Sequence, residues 1–219
     1  MSRSFASSSV GTKVLIAVTG LLLFVFLIGH LAGNLLVLLG PGPFNAYSHT
    51  LISNPLVIPM EIGLLLVVLV HVYKTVKMYL QNQQARPERY AVKHWAGHTS
   101  RKSVASSTMI VSGLVTAVFV IFHLQQFKWG SYYETADTPA VRDLYRTEVE
   151  FFQDPIWVAI YVICMGLIFL HLRHGIASAC QSLGAAETFG KRMLRVGMVA
   201  ALIIGGGFAI IPLFIYFAK

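Results

Sequence analysis

The sequence predicts an all-α integral membrane protein with five transmembrane helices, the first four forming an antiparallel bundle, and three observations carry the prediction. Hydrophobic residues fill 56% of the 219 positions and charged residues only 12%. Five apolar runs are long enough to cross roughly 30 Å of hydrocarbon. Four of those runs each enclose a histidine, His30, His71, His123 and His171, and ionisable side chains inside membrane spans are costly and usually functional.

The first span is expected near 14–39 and carries His30. The segment before it holds Arg3 and Lys13, but no small-residue cleavage site follows and the run is too long for a signal-peptide core. This helix is therefore expected to stay in the mature chain. The second, near 55–80, follows an uncharged loop from Gly40 to Pro55 and carries Glu61 and His71; the third, near 104–126, carries His123. The fourth, near 156–180, carries His171 with Cys164 and Cys180, and the fifth, near 195–217, is an apolar helix interrupted by Gly205, Gly206 and Gly207. With only 81–103 and 127–155 left as long polar stretches, residues 1–219 read as a single membrane domain.

Basic residues set the expected orientation. The stretch from Lys74 to Lys102 carries seven lysines and arginines against Glu88 alone, and the turn after the fourth span carries Arg173, Lys191, Arg192 and Arg195. The loop 127–154 has three basic residues against six acids. The positive-inside rule then puts the N-terminus in the cytoplasm and Lys219 outside, in a multi-pass membrane protein. The same placement explains the net charge of +8 without nucleic acid, because the excess lies in short loops beside spans.

Depth follows from a rise of about 1.5 Å per residue, which sets His30 and His123 roughly 25 and 30 Å above the inner surface. His71 and His171, on spans running inward, lie only about 12 to 14 Å from it. Odd spans supply an outer pair and even spans an inner pair, about 11 to 18 Å apart. Neutral imidazole is a common ligand of haem iron, so two pairs at two levels read as two haems within the four-helix bundle. Gly20 and Gly113 fall on the first and third spans where the inner ring is expected to pass, although small residues also simply let membrane helices pack.

The cysteines narrow the chemistry. Cys164 and Cys180 are about 24 Å apart on one helix and cannot pair, and the chain has no C-x-x-C-H and too few thiols for a four-cysteine iron-sulfur cluster. The haems are expected to be b-type. No G-x-G-x-x-G follows a strand, so nothing points to flavin or nicotinamide binding.

The runs Gly29-His30-Leu31-Ala32-Gly33-Asn34-Leu35, Phe44-Asn45-Ala46-Tyr47-Ser48-His49, His71-Val72-Tyr73-Lys74, Phe122-His123-Leu124 and His171-Leu172-Arg173-His174-Gly175-Ile176-Ala177-Ser178 resemble the cytochrome b membrane anchor of succinate:quinone oxidoreductase. The single-chain, five-helix, two-haem form of bacterial succinate dehydrogenases and fumarate reductases is the nearest likeness, and it covers nearly the whole chain. The resemblance implies that His30 and His123 hold an outer haem and His71 and His171 an inner one. It assigns the fourth ligand to His171, leaving His174 as a hydrogen-bonding or propionate-side residue. It further implies an electron-transfer subunit that binds cytoplasmic flavoprotein and iron-sulfur partners and exchanges electrons with membrane quinone. His49, His94 and His98 read as solvated loop residues.

Glu61 is the one acid placed inside a span, near the level of the outer pair, and two readings of it stand. It serves proton exchange with quinol, or it is an interfacial acid reaching outer water. The chain also departs from fumarate-reducing members of the family, which have a glutamate two residues before the fourth ligand where Phe169 stands here. That departure favours succinate oxidation against menaquinone. The rival classes are the cytochrome b subunit of another quinone-linked dehydrogenase and a haem-free transporter with a histidine relay.

Overall fold

Ser8 opens the first helix by accepting the Gly11 N–H on its side-chain oxygen at 3.0 Å, the usual way to satisfy an orphan donor at a helix start. In the computed structural model, which describes residues 8–85, 104–136 and 141–219 and only the backbone of 186–191, helix α1 runs Ser9–Asn34 and tightens into a 3-10 turn at Leu35–Leu39. Gly40, at φ +99°, ends it in a conformation that L side chains rarely adopt. The chain continues as α2 (Pro41–Ile52), α3 (Val57–Gln84), α4 (Val104–Ser107), α5 (Met109–Phe127), α6 (Leu144–Phe151), α7 (Pro155–Ser182) and α8 (Ala186–Ala218). The described residues form no strand, only an isolated bridge between Glu134 and Arg142.

Five stretches are long and apolar enough to cross a membrane: Ser9–Leu39, Val57–Gln84, Met109–Phe127, Pro155–Ser182 and Arg192–Ala218. The chain is thus an all-helical, multi-pass membrane protein. The third span starts five residues later than the sequence suggests, because Thr108 breaks the helix after α4 and turns its hydroxyl onto Val104 O at 2.8 Å. Side-chain bonding of this kind competes with the helical ladder. The second span runs to Gln84, a few residues past its expected end, and carries Lys74 and Lys77 in its last turns.

The main packing surface joins α7 and α8. Val158, Tyr161, Met165, Ile168, Leu172, Ile176 and Ala179 recur three or four residues apart and form the buried stripe of α7. Ala201, Ile204, Ile211 and Ile215 are buried on α8 and belong to the same core. The three glycines of α8 do not break it. A Cβ on Gly205 would lie 2.9 Å from Phe169 Cβ and 3.1 Å from Met165 O, and one on Gly207 would lie 2.8 Å from a Leu31 methyl. Missing side chains at these positions let α8 lie directly on α7 and α1. Helix α1 packs on α3 and α7, α5 packs on α7 and α3, and α8 packs outside on α7 and α1. Helix α3 buries no residue at all.

Candidate functional site

The polar side chains of the spans collect around the histidines at two levels. At one level, His71 on α3 places Nδ1 3.0 Å from Thr19 Oγ1 of α1, and His171 on α7 places Nδ1 3.3 Å from Ser112 Oγ of α5. Thr19 and Ser112 are buried. Gly20 and Gly113 lie directly beneath these rings, for an added Cβ would sit 3.1 Å from His71 Cε1 and 3.0 Å from His171 Cε1 respectively. The two glycines therefore make room for imidazoles, where a cofactor ring was expected beside them.

At the other level, His30 on α1 and His123 on α5 have ring centroids 5.8 Å apart with planes 86° to one another. Phe26 stacks on His30 at 5.1 Å and Phe119 on His123 at 5.7 Å, each from one helical turn earlier. Phe208 of α8 lies 5.6 Å from His30, and Tyr161 of α7 lies 6.3 Å from His123. Asn34 donates its amide to His30 O at 2.8 Å and approaches His30 Nδ1 at 3.3 Å. His123 Nδ1 is buried with no hydrogen-bond partner among the described residues.

The levels can be measured along the helices. His71 sits beside Thr19, 11 residues before His30 on α1, and His171 sits beside Ser112, 11 residues before His123 on α5. Both intervals correspond to about 16 Å.

Above the outer pair, the stretches read as loops form a cap. Asn45 of α2 donates to Asp143 Oδ1 at 2.8 Å and accepts the Tyr145 N–H at 3.0 Å, tying α2 to the start of α6. Asp143 also caps α6 by accepting the Arg146 N–H at 3.0 Å. Tyr47 of α2 packs over Gly33, where a Cβ would come within 2.5 Å of the ring. Signals for both helices are local: Pro41 occupies a first-turn position, where its missing N–H costs nothing, and Asp143 is a standard N-cap.

Glu61 lies near the N-terminal end of α3 and forms an ion pair with Lys128, the residue that closes α5, with both side chains partly exposed. A second acid, not singled out in the sequence, is Glu148 on α6. It is 6% exposed, its Oε2 has no hydrogen-bond partner among the described residues, and burial pushes its carboxyl up to about 8. It lies close enough to Tyr161 to act on it electrostatically, and the Tyr161 hydroxyl donates to Gln126 Oε1. His174 is partly buried, while His49 is exposed on α2; His94, His98 and the basic segment Arg86 to Lys102 lie outside the described residues.

Thr19 and Ser112 also escaped the sequence reading, yet their signal is present. Residues 18–31, Val-Thr-Gly-Leu-Leu-Leu-Phe-Val-Phe-Leu-Ile-Gly-His-Leu, recur 93 positions later as 111–124, Val-Ser-Gly-Leu-Val-Thr-Ala-Val-Phe-Val-Ile-Phe-His-Leu. The hydroxyl, the glycine, the stacking phenylalanine and the histidine all coincide. Among the described residues no group of three or more His, Cys, Asp or Glu side chains is placed to hold a bare metal ion. Comparison with protein-family models, with curated proteins and with solved structures found no match to this chain.

Proposed function

We propose that the chain is the dihaem cytochrome b membrane anchor of a succinate dehydrogenase, relaying electrons between an iron-sulfur subunit and membrane quinone, menaquinone in this reading. The observation that carries the proposal is the sorting of four intramembrane histidines into two levels about 16 Å apart, His30 meeting His123 at one, and His71 and His171 each beside an equivalent hydroxyl at the other. Contacts run from α1 to α3, α3 to α5, α5 to α7 and α7 back to α1, which supports a four-helix bundle with α8 outside. Each pair then comes from diagonally opposed helices, the arrangement that leaves a gap for a cofactor between them.

The residues fit the group. Neutral imidazole is a common ligand of haem iron, and the outer pair brings two such rings together with centroids 5.8 Å apart. When bound, a haem would supply a one-electron couple, and His30, His123, His71 and His171 would hold it in an apolar setting. Phe26, Phe119 and Phe208 exclude water around the outer imidazoles, and the hydroxyls of Thr19 and Ser112 hold the inner ones. Glu61 and its partner Lys128 sit at the outer ends of α3 and α5, where a carboxylate is placed to exchange protons with quinol.

In this reading the basic segments face the cytoplasm and dock the flavoprotein and iron-sulfur subunits, with the N-terminus inside. The deciding measurement is a reduced-minus-oxidised absorption spectrum of the purified chain with a pyridine haemochrome assay. Two b haems per polypeptide are expected, and co-purification of flavoprotein and iron-sulfur subunits then identifies the complex. Absence of haem would return the histidines to a relay without a cofactor.

A further inference from the structure

The imidazoles of His71 and His171 are each held by a hydroxyl whose own hydrogen is already committed. Thr19 Oγ1 donates to Leu15 O at 2.7 Å, and Ser112 Oγ donates to Met109 O at 3.2 Å. A hydroxyl has one hydrogen to give. Toward the imidazole, each oxygen is therefore an acceptor, and the hydrogen between them belongs to Nδ1 of the histidine, at 3.0 Å in one case and 3.3 Å in the other. Neutral imidazole carries one ring hydrogen, so Nδ1–H leaves Nε2 with a free lone pair.

The outer histidines are held differently. No hydroxyl plays this part there: Asn34 Nδ2 lies 3.3 Å from His30 Nδ1, and among the described residues His123 Nδ1 has no hydrogen-bond partner. The difference is specific to one level of the molecule. It also occurs twice by the same means, since Thr19-Gly20 and Ser112-Gly113 occupy equivalent places in the repeated segment. In each copy the hydroxyl takes the Nδ1 hydrogen and the following glycine leaves space for Cε1.

We infer that Thr19 and Ser112 are a matched pair of positioning residues, each belonging to a hydroxyl-glycine cradle that fixes the Nδ1–H tautomer of an inner histidine and presents its Nε2 lone pair to a metal. The inference rests on the reading of His71 and His171 as ligands to a haem iron. Donation from the distal ring nitrogen raises the basicity of the ligating one, and the chain from imidazole through hydroxyl to helix carbonyl polarises along its length. Both effects favour the oxidised iron.

Two measurements test this. In the haem-free protein, ¹⁵N spectra of histidine-labelled chain in detergent are expected to show protonated Nδ1 and unprotonated Nε2 at His71 and His171, assigned by loss of each signal in the His→Ala variants. Protonation at Nε2 in either would overturn the inference whatever the chain binds. In the haem-loaded complex, the component to follow is the one that His71→Ala removes. T19V and S112A should each raise its midpoint potential, lowering the oxidised-to-reduced ratio at fixed ambient potential by roughly threefold to tenfold, where tenfold is about 59 mV for one electron. T19S and S112T should restore it, with changed low-spin EPR g values only in the variants that lack the hydroxyl. If potentials and g values in T19V and S112A equal those of the parent, the hydroxyls are packing residues. If either variant fails to assemble, the tautomer spectrum of the parent protein still decides. Failure of the haem reading is separately visible as the absence of a b-type spectrum.

Discussion

Glu61 near the start of α3 is ion-paired with Lys128 at the end of α5. Both side chains are partly exposed, and exposed pairs contribute only about 0.2 to 1 kcal/mol. Glu61→Gln should therefore lower stability by under about 1 kcal/mol while keeping both haems. If the carboxylate exchanges protons with quinol, quinone-coupled turnover should fall roughly 10²-fold, within the range for positioned acid-base groups. Reduction of an artificial acceptor on the soluble subunits should survive. Normal quinone turnover would reduce Glu61 to an interfacial partner of Lys128.

The pairing of histidines predicts the outcome of removing them. His30→Ala or His123→Ala should leave one haem of two and spare the inner component, and His71→Ala or His171→Ala should do the reverse. Haem per polypeptide, with resolved α-band spectra, checks both. Loss of the same component from His30→Ala and His71→Ala would overturn the assignment.

Glu148 makes stability depend on pH. Its carboxyl is raised from 4.5 to about 8 by burial, so between those values the folded chain holds a proton that the unfolded chain has released. Stability from this group is present below about pH 4.5 and is lost as pH rises towards 8, at up to about 1.4 kcal/mol per unit. Thermal unfolding in detergent should show the decline in the parent and a flatter profile in Glu148→Gln. Equal slopes would mean that the carboxyl is solvated in the protein.

Asn45 joins the two cap helices through its amide, giving to Asp143 and taking from the Tyr145 N–H. Asn45→Ala removes both bonds and leaves the partly buried Tyr145 N–H without this acceptor, at a cost of about 1 kcal/mol. Limited proteolysis should then cut within 128–154 faster than in the parent, with haem content unchanged. Unaltered cleavage would show that α2 and α6 stay docked by apolar contacts alone.

The spans were legible because hydropathy is a property of consecutive residues, and five runs of sufficient length admit one reading in a membrane. The same holds for the two histidine levels, since helical rise converts residue number into depth. Boundaries moved where a side chain intervened, as Thr108 does at the start of α5. The cap was less legible: α2 and α6 are short, and their neighbours are set by Asn45 reaching a residue 98 positions away.

What the sequence by itself determined is therefore the number of membrane helices, their approximate ends and the level of each histidine. Tertiary structure alone decided which groups touch: Thr19 with His71 across 52 residues, Ser112 with His171 across 59, and Glu61 with Lys128. It also buried Glu148, an acid that sits in a polar stretch and gives no local sign of burial. The physical reason is rotational. Position along a helix follows from counting residues, but the direction a side chain faces depends on how neighbouring helices pack, and here that packing is set by close approaches such as Gly205 on Phe169 and Gly207 on Leu31.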